Sequence, residues 1–167
     1  EGMCWLSTKK LVEQMKSAEE LEYPLPNSDT WSMLLFTTGT TGNSKGVVMY
    51  HKNDVAIAGN VMEGTQMKPG NVEIIPMPLN HSFGIRRYQS DNGGTVCLMN
   101  GMALIGNLWK MLEQYHATSM AISPATLGMI FHLSGDRISE YADQIDYIQV
   151  GSAPLPETDK EKLLRYL

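Results

Sequence analysis

The sequence predicts an α/β fold in which helices cover both faces of a mostly parallel sheet. Two observations lead to this prediction. First, the 167 residues are 43% hydrophobic and 19% charged, which is typical of one globular domain with a sizeable core. Second, strand-like apolar segments alternate with helix-like segments along most of the chain. Strands joined by helical crossovers form parallel sheets, because a right-handed crossover returns its helix onto the sheet.

The first third of the chain predicts a helix, a connector and two strands. Apolar residues recur among Lys and Glu over residues 7–22, which indicates an amphipathic helix. Residues 23–29 contain two prolines and three polar turn-forming residues, so they break the helix. Apolar runs then indicate buried strands at residues 31–36 and 46–50, separated by a loop of small residues.

The remaining elements alternate in type. A helix is predicted over residues 52–67, with Asn53 or Asp54 as its N-cap. Further strands are predicted at residues 72–76, 95–99, 119–122 and 145–150. Further helices are predicted at residues 85–89, 104–115, 125–133 and 156–167. Since no linker divides the chain, we expect residues 1–167 to form a single domain.

Composition excludes several classes of protein. The net charge is −5 and the basic residues are dispersed, which argues against a nucleic-acid partner. The apolar runs are far shorter than the ~20 residues of a spanning helix, so no membrane span is expected. Cys4 and Cys97 have no partner at metal-ligand spacing, so we expect no metal site, no disulfide framework and a reduced, cytoplasmic location.

The segment with the most chemical content is the loop at residues 37–46, between two predicted strands. Its glycines bring backbone N–H groups close to an anion, its hydroxyls are further donors, and Lys45 supplies a positive charge. This composition suits a polyphosphate, although an ordinary polar hairpin loop has similar residues. The loop is not a Walker A motif, because Lys45 is preceded by Ser44 and followed by Gly46.

The order of residues in this loop resembles the signature of the adenylate-forming superfamily. That pattern is a Ser/Thr-rich run, Gly, two Ser/Thr, Gly, any residue, Pro, Lys, Gly. The matching positions are Thr37, Thr38, Gly39, Thr40, Thr41, Gly42, Lys45 and Gly46. Ser44 stands where the family usually has Pro, which removes a fixed φ but no phosphate donor. The resemblance implies that the loop binds the phosphates of ATP, with Lys45 taking part in catalysis.

A second segment, around His81, follows the predicted strand at residues 72–76. A lone His in a loop usually has a structural or surface role. However, residues 78–84 resemble the family's Pro-Leu-x-His-x-x-Gly segment, which lines the carboxylate pocket. The resemblance implies that His81 is catalytic, orienting the carboxylate for attack, and that His81, Phe83 and Gly84 contact the acyl substrate.

The third segment follows the predicted strand that ends at residue 150. By itself it is an ordinary strand-to-helix turn. It also resembles the family's Gly-Gly-Ala-Pro-Leu stretch that borders the adenine, with Ser152 in place of the second Gly. The implied adenine-binding residues are Gly151, Ser152, Ala153 and Pro154. The turn at residues 123–125 likewise resembles a Pro-centred turn beside the acyl site.

Three signatures in the family's order identify the chain as resembling part of the N-terminal domain of an AMP-forming acyl-CoA synthetase. The resemblance implies a parent enzyme that uses ATP, Mg²⁺ and coenzyme A to activate a carboxylic acid, for example in fatty acid metabolism. The family's metal-binding Tyr-Gly-x-Thr-Glu segment and its C-terminal domain are absent from the 167 residues, so we expect a partial domain that is inactive alone. Alternatives are an amino-acid-activating adenylation domain, an inactive nucleotide- or acyl-binding module, and a phosphate-loop NTPase or kinase, which the Lys45-Gly46 pair disfavours.

Overall fold

The fold is described from a computed structural model of the chain. The structure describes residues 8–16, 24–37, 42–78, 81, 83, 93–99 and 104–167. The described α-helices are α1 Thr8–Met15, α2 His51–Gly64, α3 Leu104–Tyr115, α4 Pro124–Ser134 and α5 Glu157–Tyr166, with a 3-10 helix at Arg137–Tyr141. The described strands are β1 Trp31–Thr37, β2 Lys45–Tyr50, β3 Val72–Ile75, β4 Thr95–Leu98, β5 Ser119–Ile122 and β6 Tyr147–Val150.

Four of these strands form the predicted parallel sheet, in the order β4-β3-β5-β6. All three strand pairs are parallel, with Ile74 of β3 opposite Met120 of β5 and Ile122 of β5 opposite Val150 of β6. All four carboxyl ends therefore meet at one edge of the sheet, which is where open α/β sheets bind their ligands.

The main core lies on one face of this sheet. Ile74, Met120 and Ile122 project from the strands and are fully buried against α3 and α4. The helices contribute the fully or almost fully buried side chains Leu108, Leu112, Leu127 and Ile130. Burying each such side chain contributes about 1.5–3 kcal/mol, so this face accounts for most of the apolar stabilisation.

Helix α2 packs on the opposite face. Ala58 of α2 and Met67, which follows the helix, form a smaller cluster against Tyr147 of β6. The next residue, Ile148, packs against the main core, and successive strand side chains point to opposite faces. The prediction that helices cover both faces is therefore confirmed.

The strands β1 and β2 do not join the parallel sheet but form a separate antiparallel hairpin. Backbone hydrogen bonds fasten its base to α2: the N–H of His51 donates to Thr30 O at 3.2 Å, and the N–H of Lys52 donates to Ser28 O at 3.0 Å. The Lys52 ammonium also pairs with Asp29, and that hydrogen bond raises the pKa of Lys52. The base of the hairpin is consequently held to the start of α2, and its opposite end, where Thr37 pairs with Lys45, leads into the loop predicted to bind phosphate.

Several predicted boundaries were wrong. Helix α2 begins at His51 with Tyr50 as N-cap, so neither Asn53 nor Asp54 occupies that position. Asn53 still satisfies the helix end, because its Oδ1 accepts the Tyr50 N–H at 3.0 Å. The helix ends at Gly64, short of the predicted residue 67.

Other predicted elements fall partly or wholly outside the described residues. The helix predicted over residues 7–22 is described as Thr8–Met15, and residues 17–23 lie outside the description. The helix predicted at residues 85–89 also lies outside it. No helix within the described ranges has the length and apolarity to cross a membrane.

Candidate functional site

The two ends of the loop at residues 37–46 are held together by pairing between strands β1 and β2. Thr37 pairs with Lys45, and the Thr37 hydroxyl donates to Lys45 O at 3.4 Å. Gly42 has φ of +92°, a left-handed conformation that side chains disfavour, so glycine is required there. The predicted phosphate ligands Thr38, Gly39, Thr40 and Thr41 lie outside the described residues.

Lys45 stands at the exit of this loop with an exposed side chain. Within the described ranges its ammonium makes no ion pair, so its charge is available to an anion. The next residue packs closely against the paired strand: a Cβ on Gly46 would lie 3.1 Å from Leu34 Cδ1, so that side chain would have to shift slightly to admit a larger residue.

His81 lies beyond the carboxyl end of β3 and is exposed. The ring nitrogen Nδ1 of His81 accepts the backbone N–H of Phe83 at 3.1 Å. The backbone N–H of His81 donates to Pro78 O at 3.2 Å. Because an accepting ring nitrogen carries no proton, the neutral imidazole bears its proton on Nε2. The arrangement leaves an Nε2–H donor for a ligand. Gly84, the other predicted acyl contact, lies outside the described residues.

The Phe83 ring joins the second and third predicted segments. A Cβ built on Gly151 would lie 3.0 Å from both Cε2 and Cζ of this ring, tighter than nine in ten Cβ contacts. The ring therefore rests directly on the Gly151 backbone. Gly151 is itself anchored to the sheet, because its N–H donates to Ile122 O at 3.1 Å.

Ser152 has φ of +76°, which places a side chain in the left-handed region. This is the position where the resembling pattern has glycine, and glycine adopts that conformation without strain. Ser152, Ala153 and Pro154 are all exposed. The predicted adenine segment is thus a surface turn with one strained residue.

The turn at residues 123–125 has a clear structural function. Ser123 is the N-cap of α4, its Oγ accepts the Thr126 N–H at 3.1 Å, and Pro124 occupies the first turn. This Ser-Pro pair explains why the helix begins at Pro124, one residue before the predicted start.

The three predicted segments are therefore only partly united. Direct contact brings Phe83 onto Gly151, at the carboxyl-end edge of the sheet. Between the described loop residues 42–46 and either His81 or Gly151 there is no hydrogen bond or ion pair.

Glu73 is a notable residue that sequence reasoning missed. It lies in β3, opposite Ser119 of β5, and is fully buried. The sequence signal was present, since a single carboxylate interrupts the apolar strand Val72–Ile75.

The described residues form no metal cluster made of protein side chains alone. In the ranges covered, no group of three or more His, Cys, Asp or Glu side chains could hold a metal ion. The Mg²⁺ implied by the resemblance does not need such a group, because Mg²⁺ is commonly held by one or two carboxylates together with substrate phosphates.

The chain was compared with known proteins. The model of the family "AMP-binding enzyme" matches residues 4–167. Among curated proteins, 4-coumarate–CoA ligase-like 3 of Arabidopsis thaliana is 26% identical over 142 residues, covering 83% of this chain and 25% of that protein. Nonribosomal peptide synthetase agiA of Aspergillus flavus is 32% identical over 134 residues, covering 76% of this chain and 2% of that protein.

A solved structure agrees with the fold. The N-terminal domain of FACL13 from Mycobacterium tuberculosis superposes with a TM-score of 0.84 at 21% identity, covering 96% of this chain and 41% of that domain. The chain thus spans about a quarter of the Arabidopsis relative. Because the family model matches nearly its whole length, the chain belongs to the AMP-binding enzyme family.

Proposed function

We propose that this chain supplies the phosphate loop and part of the acyl and adenine sites of a ligase that activates a carboxylic acid with ATP and transfers the acyl group to coenzyme A. The observation that carries the proposal is the contact of Phe83 with Gly151. It joins a segment predicted to bind the acid to one predicted to bind adenine, as a reaction between the two substrates requires.

In the proposed reaction a carboxylate oxygen attacks the α-phosphorus of ATP, and pyrophosphate leaves as the acyl adenylate forms. A thiol then attacks the acyl carbon, and AMP leaves. Two anions must approach each other in the first step, so catalysis depends on positioning and charge neutralisation. The exposed Lys45 ammonium can neutralise a phosphate oxygen, and the Nε2–H of His81 can hold the carboxylate in line.

The substrate we favour is a fatty or other acyl acid. The similarity to a protein named as a CoA ligase supports this choice. The second candidate is an amino acid, because a nonribosomal peptide synthetase is 32% identical over 134 residues. The third candidate is a module that binds nucleotide or acyl group without catalysis.

We further propose that residues 1–167 form a partial domain that does not turn over alone. The observation that supports this proposal is length, since the chain covers only 25% of the Arabidopsis relative that it matches. An acid-dependent exchange of pyrophosphate into ATP is therefore expected to be undetectable with this chain, and clear exchange would contradict this part of the proposal.

The binding function is tested by calorimetric titration of the folded chain with Mg²⁺ and ATP. We expect saturable binding that is lost in a Gly39→Ala/Lys45→Ala double variant, because the loop then loses close backbone approach and its charge. The control is Lys160→Ala, which removes another exposed cation, on α5, that pairs with Glu157.

The outcomes separate the candidates. Binding that survives in the loop variant would contradict the phosphate site at residues 37–46. Repeating the titration with AMP and, in turn, a fatty acid, a hydroxycinnamic acid and an amino acid distinguishes the substrate classes. Tighter AMP binding with the amino acid alone would favour the second candidate.

A further inference from the structure

The Phe83 ring occupies a surface on which a ligand could bind. Gly151 has no side chain, so its backbone forms a slot at the carboxyl-end edge of the sheet that suits a flat ring. In this structure a flat ring already lies there: Cε2 and Cζ of Phe83 reach within 3.0 Å of where a Cβ would stand. Gly151, the first residue of the predicted adenine segment, is therefore covered by a side chain of the predicted acyl segment.

The Gly151 side of this contact is fixed to the sheet, because the N–H of Gly151 donates to Ile122 O at 3.1 Å. On the other side, the N–H of Phe83 donates to Nδ1 of His81 at 3.1 Å, a bond within one short segment. A ligand that needs the Gly151 surface must consequently move the Phe83 ring. The ring is only half-buried, so such a movement does not require the core to open.

We propose that Phe83 is a displaceable plug on Gly151, and that a planar base such as adenine binds there by displacing the ring. The inference rests on the proposed function, because it takes residues 151–154 as the adenine segment. It adds that the ligand-free chain occupies its own slot. Nucleotide then binds only the fraction of molecules whose ring has moved, which weakens its apparent affinity.

The effect of Phe83→Ala on AMP affinity distinguishes a ring that covers the slot from a ring that lines the bound ligand. If Phe83 merely lined the ligand, Phe83→Ala would weaken binding by removing a stacking surface. If Phe83 covers the slot, Phe83→Ala tightens AMP binding, by about two- to tenfold, because the competent fraction rises. Phe83→Leu serves as a second, milder variant in case the alanine variant does not fold.

Ring movement can be read independently of affinity, because the chain has only three phenylalanines, Phe36, Phe83 and Phe131. With 4-fluorophenylalanine incorporated, three fluorine resonances are assigned by single Phe→Leu replacements. Phe36 is 69% exposed and Phe131 is 7% exposed, so they mark the exposed and buried ends of the scale. Saturating AMP should move only the residue 83 resonance, towards that of Phe36.

A Gly151→Ala variant tests the contact without ligand. Its new methyl group would collide with the ring, so the residue 83 resonance should move towards the exposed position in the free protein. The control is Gly128→Ala, since a Cβ on Gly128 meets no atom within 4 Å. An unmoved residue 83 resonance in Gly151→Ala would show that the ring does not lie on Gly151 and would overturn the plug.

The remaining outcomes distinguish the two proposals. If AMP binds and the residue 83 resonance stays in place, or if Phe83→Ala weakens binding, the plug is wrong and the proposed function stands. If AMP binds neither wild type nor Phe83→Ala, while Gly151→Ala still moves the resonance, the nucleotide function fails and the plug fails with it.

Discussion

Replacing Ser152 by glycine should stabilise the protein, because Ser152 has φ of +76°. The left-handed conformation costs a residue with a Cβ about 1–2 kcal/mol. Glycine removes that cost but gives the unfolded chain more freedom, which opposes folding by about 0.4–1 kcal/mol. The exposed hydroxyl has no hydrogen bond to lose among the described residues. The expected net gain is about 0.5–1 kcal/mol.

The assay is thermal unfolding followed by circular dichroism. For a chain of this length, such a gain raises Tm by about 1–4 °C. Ser152→Ala is the matched control, because it removes the hydroxyl and keeps the Cβ, so its Tm should stay close to that of the wild type. An equal rise in both variants would show that the hydroxyl destabilises the turn, and a fall for Ser152→Gly would refute the strain argument.

Three further predictions concern the core and its ionisable groups. Met120→Ala should destabilise the fold by about 2–5 kcal/mol in urea unfolding, because the side chain is fully buried, whereas Met129→Ala, at a side chain 43% exposed, should cost far less. Burial and the hydrogen bond to Glu113 raise the pKa of Tyr141 above its ordinary 10.0. The neutral phenol is therefore favoured in the folded state, so the contribution of Tyr141 to stability is complete below pH 10 and is lost as the pH rises through the pKa of the folded state. Urea unfolding between pH 8 and 11 should therefore show a steeper alkaline loss for wild type than for Tyr141→Phe, and equal slopes would contradict the assignment. Burial also raises the pKa of the Cys97 thiol, so in a Cys4→Ser background a thiol reagent should label it only on unfolding, and rapid labelling of the native chain would be inconsistent with that burial.

Much of the architecture follows from local sequence pattern. The parallel sheet and its helices on both faces were predictable, because apolar runs of strand length alternate with longer amphipathic segments. The exclusion of β1 and β2 from the parallel sheet was not, since the choice of strands that join a sheet depends on contacts distant in sequence, even though the hairpin itself pairs residues close in sequence. The N-cap of α2 was missed because a side chain inside the first turn, Asn53, satisfies the helix end in place of a polar cap residue.

The candidate site was predictable where residue type dictates backbone geometry. Gly42 of the loop has the positive φ that a glycine in such a turn permits. The contact of Phe83 with Gly151 could not be predicted, because 68 positions separate the two residues and only the fold brings them together. Ser152 shows the reverse case, where the resembling pattern has glycine and the strain becomes visible only in the structure.

The central claim, that residues 37–46 and 151–154 bind ATP, is tested most directly by amide chemical-shift mapping of the folded chain titrated with Mg²⁺ and ATP. We predict saturable shifts for the loop and for Gly151 and Ser152. The amides of Asn71 and Thr118, at the amino ends of β3 and β5, should stay unchanged. Shifts confined to the amino-end edge of the sheet, or the absence of any shift, would contradict the claim.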